Sequence, residues 1–251
     1  MVNRYRLKFE KKDKMKFIGH LDLMKLFQKI IRRTDINIEY SKGFNPHQKM
    51  SFALPLSLGH ETVGDYMEIE LVEQMNPEDI KNKINNLMPD GVRIIDCFLT
   101  TEKNSASLLS AALYEVVFSG EASSGKGFLD SIEIGFQFNE SKNKLLSENE
   151  VMVEKKTKSG ISLVDIRKDI FSINVKADEN ESNAIIKIEM MIAAGSKQNL
   201  KPELVTQYIL DRQDKEHTGK VKYIRKDMFK EENNIFISLG DKNDKKLGDE
   251  E

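Results

Sequence analysis

Apolar positions recur along this chain with two different periods. Residues 3–11 set Tyr5, Leu7 and Phe9 between polar neighbours, the signature of a half-buried strand. From His20 to Arg33 the period lengthens. Leu23, Phe27, Ile30 and Ile31 form one stripe, and Lys25, Lys29, Arg32 and Arg33 run along the opposite side of a predicted helix. Asp22 in its first turn and Arg32-Arg33 in its last suit the helix dipole. Strand patterns return at 36–40, 51–54 and 66–71. Asn76-Pro77 opens a predicted helix over 77–87, with proline where its missing N–H costs least, and 91–99 reads as a strand. The order β-α-β-β-β-α-β is the split βαβ, or ferredoxin-like, pattern with one added strand.

The second half repeats this order, although no repeat of letters is visible. Strands are predicted at 113–118, 151–157, 162–175, 184–193 and 220–229. A weak helix is expected at 126–138, and another from Lys201-Pro202 to about Leu210. The expected fold class is therefore α+β, with tandem ferredoxin-like (split βαβ) domains at 1–102 and 111–230. Residues 101–110 read as the linker, and the acidic tail 240–251, which lacks apolar content, as disordered.

Composition narrows the class. The chain has 251 residues, 39% hydrophobic and 32% charged, as expected of a soluble globular protein with a highly charged surface. No apolar run approaches the roughly 18–20 residues that span a bilayer, so no membrane role is expected. The start, Met1-Val2-Asn3-Arg4, leads into a strand pattern without the apolar core of a signal peptide. The single Cys97 excludes an internal disulfide and any cysteine-based metal or iron–sulfur site built from this chain alone. Within Ile94–Leu99 it reads as a buried structural thiol, and a cytoplasmic location is expected.

Net charge is −2, but its distribution changes the picture. Residues 1–60 hold 13 Lys and Arg against 5 Asp and Glu, whereas 61–100 hold 3 against 9. One surface that attracts polyanions and another that repels them is the expectation. The basic helix is followed by Gly43-Phe44-Asn45-Pro46-His47, which joins a φ-permissive glycine, an aromatic, a turn pair and an imidazole. As an RNA site, Phe44 would stack on a base, with Asn45 and His47 beside it. Lys25, Lys29, Arg32, Arg33, Lys42 and Lys49 would follow the backbone. The competing reading makes Phe44 a core anchor of the loop and the cations a solvated face.

The second half adds candidates of its own. Lys156 and Lys158 sit on a cationic hairpin tip, and Arg167 shares a predicted strand face with Asp165. Ser196, Asn199 and Lys201 lie where a strand meets a helix N-terminus, and backbone amides there can cup an anion or simply form a capped loop. His20 and His47 offer a general acid and base for metal-free RNA cleavage, since imidazole titrates near neutrality. A histidine at a helix start also serves as a cap or core hydrogen-bonder. His60 reads as a loop residue and His217 as exposed in a charged run. No HxxxH, HExxH or CxxC spacing, phosphate loop, GxGxxG or GxSxG occurs, so no metal or cofactor is expected.

Four ordered stretches resemble a known family: Lys16–Met24 around Gly19-His20-Leu21-Asp22-Leu23, Gly43–His47, Val164-Asp165-Ile166-Arg167, and Gly195-Ser196 followed by Asn199-Leu200-Lys201-Pro202. Together, over roughly 2–210, they resemble the radical-SAM-linked protein family, a bacterial domain of unknown function found alone or fused behind a radical SAM enzyme. Gly19 stands where that family has Ser, and Gln48 where it has a second Pro. The resemblance implies a radical SAM enzyme as partner, with the iron–sulfur cluster on that partner. The element order is also similar to the tandem ferredoxin-like architecture of CRISPR repeat-processing endoribonucleases, a likeness of fold that does not set function. The leading expectation is a non-catalytic RNA-binding module that presents ribosomal or transfer RNA to that enzyme. One alternative is a metal-independent endoribonuclease using His20 and His47. Another is a protein-binding adaptor that docks through the acidic stretch 61–79 and touches no nucleic acid.

Overall fold

The computed structural model describes residues 2–102, 105–121, 127–157, 160–180, 183–212 and 220–242, with the side chains of 120–134, 156–159 and 177–184 set aside. The fold is α+β, and it divides into two compact units: Met1–Ala111 with Arg225–Glu251, and Ala112–Ile224. Among the described residues no helix is long and apolar enough to cross a membrane.

In the first unit β1 (Asn3–Lys11) lies between β3 (Glu61–Leu71) and β4 (Val92–Leu99), antiparallel to both. The period-2 row read from the sequence is buried: Tyr5, Leu7 and Phe9 join Met67, Ile69 and Leu71 of β3 in one core. α1 (His20–Arg33) covers that face with Leu23, Phe27, Ile30 and Ile31, the predicted stripe. α2 (Pro77–Asn85) adds Ile80 and Ile84, and the Asn76 side chain caps it by accepting from the Glu78 amide at 2.9 Å. Phe9, Phe27 and Phe52 meet edge to face, with centroids 5.4–5.8 Å apart.

The second edge of β3 is shared among three segments. Ile38 bridges to Leu71, β2 (Met50–Phe52) pairs with Met67–Ile69, and β10 (Lys220–Glu232) completes the edge through its part that belongs to this unit. Gly64 makes that approach possible, because a Cβ there would sit 1.9 Å from the Lys226 carbonyl oxygen. β11 (Ile235–Ser238) folds back on β10 across Asn233 and Asn234, both at positive φ. The strand expected at 220–229 in a second domain thus belongs, from Arg225 onward, to the first unit. Alternation shows that a segment is a strand; it carries no information about which sheet receives it.

The decisive contact is buried. Arg225 bonds Asp65 through two nitrogens, each at 2.7 Å, with only 1% and 4% of the two side chains exposed. Thr62 donates to Asp65 at 2.7 Å, and Arg225 also reaches the Leu54 carbonyl at 3.0 Å. The sheet face away from α1 holds a second ionic layer. Arg6 bonds Glu68 and pairs with Glu102, and Lys230 bonds Glu102.

Other expectations shift in detail. Segment 36–40 makes isolated bridges rather than a strand: Ile38 faces Leu71 and Tyr40 faces Gln48, so its backbone bonds are divided between β3 and the Gln48–Lys49 segment. The expected linker holds a one-turn helix α3 (Ser105–Leu108) and the start of β5 (Leu109–Glu121), with Ser105 buried against Glu68. In the second unit β9 (Asn183–Ala193) lies between β5 and β8 (Ile170–Asn180). α4 (Gly127–Ser147) packs on β8 and β9, continues well past the predicted end at 138, and touches α5 (Pro202–Leu210). The strand predicted over 162–175 is broken by a turn at Arg167–Asp169, so β7 (Gly160–Asp165) pairs only with β6 (Met152–Thr157). Most of the tail 240–251 lies outside the described residues.

Removing one partner of the Asp65–Arg225 pair is expected to cost about 3–5 kcal/mol, because it leaves a buried charge alone. Asp65→Leu with Arg225→Met should cost much less than the two single changes together. A double-mutant cycle by urea denaturation checks this, and additive losses would show that the two side chains are not coupled.

Candidate functional site

The loop after α1 is held at its base by short polar contacts. Tyr40 bridges Gln48, and the Ser41 amide donates to the His47 carbonyl at 2.8 Å. Ser41 Oγ accepts from the His47 amide at 3.0 Å and lies 2.8 Å from His47 Nδ1. The hydroxyl can donate to Nδ1 or accept from it, and the imidazole tautomer sets which. Gly43 takes the turn with φ at +127°. Lys42, Phe44, Asn45 and His47 are all exposed, and the Phe44 ring stands wholly in solvent. The core-anchor reading of Phe44 is thereby excluded.

Lys25, Lys29, Arg32 and Arg33 line the exposed side of α1; Lys25 comes only within 4.0 Å of Asp22. Lys49 is different. It bonds Glu70 at 2.9 Å, and Arg4 bonds the same carboxylate. The Glu70 hydrogen bond raises the Lys49 ammonium above its ordinary value. Burial alone pulls Glu70 up, but the Lys49 and Arg4 bonds outweigh it and leave the carboxyl below its ordinary range. Lys49 thus serves its own sheet, on the wall of an open groove of about 420 Å³ shared with Arg4, Met50, Ser51, Glu68 and Glu70. Part of the acidic stretch 61–79 is spent in the same way. Glu61, Asp65 and Glu68 are buried and paired with Lys16, Arg225 and Arg6, which leaves Glu73, Glu78 and Asp79 as the exposed carboxylates of 61–79.

The two candidate imidazoles occupy different settings. His20 opens α1, lies edge-on to Phe52 at 5.3 Å, and lines a cavity of about 10 Å³ with Phe9, Lys11, Ile18, Leu23, Phe52 and Asp65 among its walls. Burial pushes His20 below its ordinary value, partly offset by Asp65. His47 is not among those walls and engages Ser41 instead. His60 is a loop residue, as expected, and is buried; His217 lies outside the described residues. Burial pushes the Cys97 thiol up to about 12, which leaves it inert at neutral pH.

In the second unit Arg167 is structural. It donates to the Leu146 carbonyl in the last turn of α4 at 3.1 Å and to Ile170 at 3.4 Å, positions natural for a cation at a helix C-terminus. Asp165 does not pair with its guanidinium. Its carboxylate accepts from the Val151 and Arg167 amides at 2.9 and 3.0 Å, which holds it below its ordinary value. Ser196, Asn199 and Lys201 are exposed on the loop before α5, whose N-terminus has no side-chain cap. Lys158 and the Lys156 side chain lie outside what the structure describes. Among the described residues no group of three or more His, Cys, Asp or Glu is placed to hold a metal.

Two buried charges were not singled out from the sequence, and Gln48 was noted only as standing where the resembled family has a second Pro. Lys11 continues the inward row of β1, is buried, and is pushed below its ordinary value by burial, partly offset by Asp65. Asp65 begins the inward row of β3, so a charge at an apolar register position was the available signal for both. Gln48 carried no such signal. It is 4% exposed, and neither amide atom has a hydrogen-bond partner.

A family model described as "uncharacterized protein conserved in bacteria" (DUF2344) matches residues 4–202. No curated protein matches the chain.

Phe44→Ala is expected to leave stability within about 0.5 kcal/mol of wild type, whereas Phe27→Ala should cost about 3–5 kcal/mol; urea unfolding checks both. A carboxyl held below its ordinary value contributes stability that is present above that value, 4.5 for Glu70, and is lost as pH falls. Glu70→Gln should accordingly flatten the acid side of the stability–pH curve, and an unchanged slope there would rule out the Arg4–Glu70–Lys49 account.

Proposed function

We propose that this chain, which belongs to the DUF2344 family of bacterial proteins, is a non-catalytic RNA-binding module that presents ribosomal or transfer RNA to a separate radical SAM enzyme. The observation that carries the reading is Phe44, an aromatic ring wholly in solvent on a loop closed by Ser41 and His47. Exposing such a ring forfeits the burial that normally recruits phenylalanine to a core, and a base stacked on it would recover that contact. Lys42 beside it and Lys25, Lys29, Arg32 and Arg33 on α1 supply charge for phosphates. His47 Nε2 offers a further hydrogen-bonding group.

The radical SAM partner rests on the four sequence motifs, and the iron–sulfur cluster would belong to that partner. The order β4-β1-β3-β2 in the first unit supports reading it as a ferredoxin-like split βαβ domain. RNA contact would then use the loop and helix rather than the sheet, whose face away from α1 is filled by the Arg6–Glu68 ion pairs. A buried, inert lone thiol suits a reducing cytoplasm.

Binding of a labelled single-stranded RNA should weaken with salt by about 0.7 log units per log of salt for each phosphate contact. Arg32→Ala with Arg33→Ala should reduce that slope by about 1.4, and Phe44→Ala should weaken binding by about 1–3 kcal/mol with the slope kept. RNA should remain intact with and without EDTA. No binding at low salt would remove this reading, and EDTA-resistant cleavage abolished by His20→Ala or His47→Ala would replace it with a nuclease.

A further inference from the structure

β7 leaves both an edge and a face uncovered. Among the described residues it pairs with β6 alone, in a two-stranded ribbon separate from the large sheet. Residues 160–163 are all exposed, and Ile161 and Leu163 stand 63% and 65% in solvent. Met152 of β6, also exposed, shares their face, since it opposes Asp165 in register. Edge strands are normally blunted by charge or proline. β6 follows that rule with Glu154 and Lys155, whereas Gly160–Val164 carries neither. The ladder sets which groups meet the bare edge. The Ile166 amide donates at 2.9 Å to the carbonyl of Val151, the residue opposite it when the register is continued. Alternation then turns the N–H and C=O of Ser162 and Val164 toward β6, and those of Ile161 and Leu163 outward. The residues with exposed apolar side chains are therefore the ones whose backbone groups face the open edge.

We propose that β7 is a dimerisation strand, pairing antiparallel with β7 of a second copy of this chain about a two-fold axis at Ser162. This goes beyond the RNA reading and does not depend on it. In that register Ile161 lies opposite Leu163 of the second copy, and Leu163 opposite Ile161 of the second copy. Each of these rungs makes a reciprocal pair of N–H···O bonds from the outward groups, and the apolar side chains of both copies meet on one face. Ser162 meets its own counterpart at the axis, in the close, non-hydrogen-bonded position that suits a small side chain. A two-fold at Leu163 would instead set Ile161 against Asp165, whose carboxylate already accepts from the Val151 and Arg167 amides. The axis at Ser162 pairs apolar with apolar, so the Ile-Ser-Leu stretch is complementary to itself, as an isologous interface requires. Strand-edge pairing of this length falls short of the roughly 1,200 Å² of stable complexes, so the association is weak and rises with concentration.

Sedimentation equilibrium of the full chain should show its mass rising from one chain toward two across the micromolar range. Ile161→Lys with Leu163→Lys sets lysine opposite lysine and should hold the chain monomeric at an unchanged melting temperature, because both side chains are exposed. Mixing Ile161→Lys protein with Leu163→Glu protein should restore dimers, since one rung then pairs Lys with Glu and the other keeps Leu with Ile. Ser162→Cys should give a disulfide-linked dimer under mild oxidation much faster than Glu154→Cys, which lies one strand farther from the axis. Cys97 is buried and inert, so it does not compete. A monomer at every concentration, dimers that persist in the double lysine variant, a mixture that stays monomeric, or equal cross-linking of the two cysteine variants would overturn the proposal.

Discussion

The first unit depends on one buried ion pair between residues 160 positions apart in the chain, Asp65 and Arg225. Two charges withdrawn from water are costly, and the pair holds because every strong bond available is made. Arg225 grips both carboxylate oxygens and the Leu54 carbonyl, and Thr62 donates to Asp65. The contact brings β10 to the edge of β3, where Gly64 leaves room for the Lys226 backbone. It also holds the segment at Leu54 that walls the cavity beside His20 and Lys11. Asp65 opposes the downward push of burial on both of those groups, so the same carboxylate serves topology and electrostatics.

The charge asymmetry of the chain takes on a different meaning once strands are paired. Arg4 and Arg6 of β1 stand opposite Glu70 and Glu68 of β3 in register, and each pair is bonded. Much of the acidic excess after residue 60 therefore neutralises cations from the first strand within the unit. The cations of α1 and Lys42 remain exposed, so positive charge is presented at the surface without any large net charge on the chain.

The loop combines stiffness at its base with exposure at its tip. Ser41 and His47 exchange three polar contacts, so Phe44 is displayed in one position rather than on a wandering segment. Such preorganisation lowers the ordering cost of any ligand that stacks there.

The sequence by itself determined the elements whose signal is local. β1, α1, α2 and α5 begin where their patterns begin, because alternation, an apolar stripe and an N-terminal proline act within a few residues. The exposed side of α1 and the polar loop were legible for the same reason. Tertiary structure decided what depends on distant partners: that β10 belongs to the first unit from Arg225 onward, that Lys49 and Arg167 are spent on Glu70 and on the end of α4, and that His20 lines a small cavity while His47 engages Ser41. It also decided that the amide of Gln48 is buried. A side chain's own position sets which face of its element it occupies; what meets it there is set by residues many positions away, and no local pattern records them.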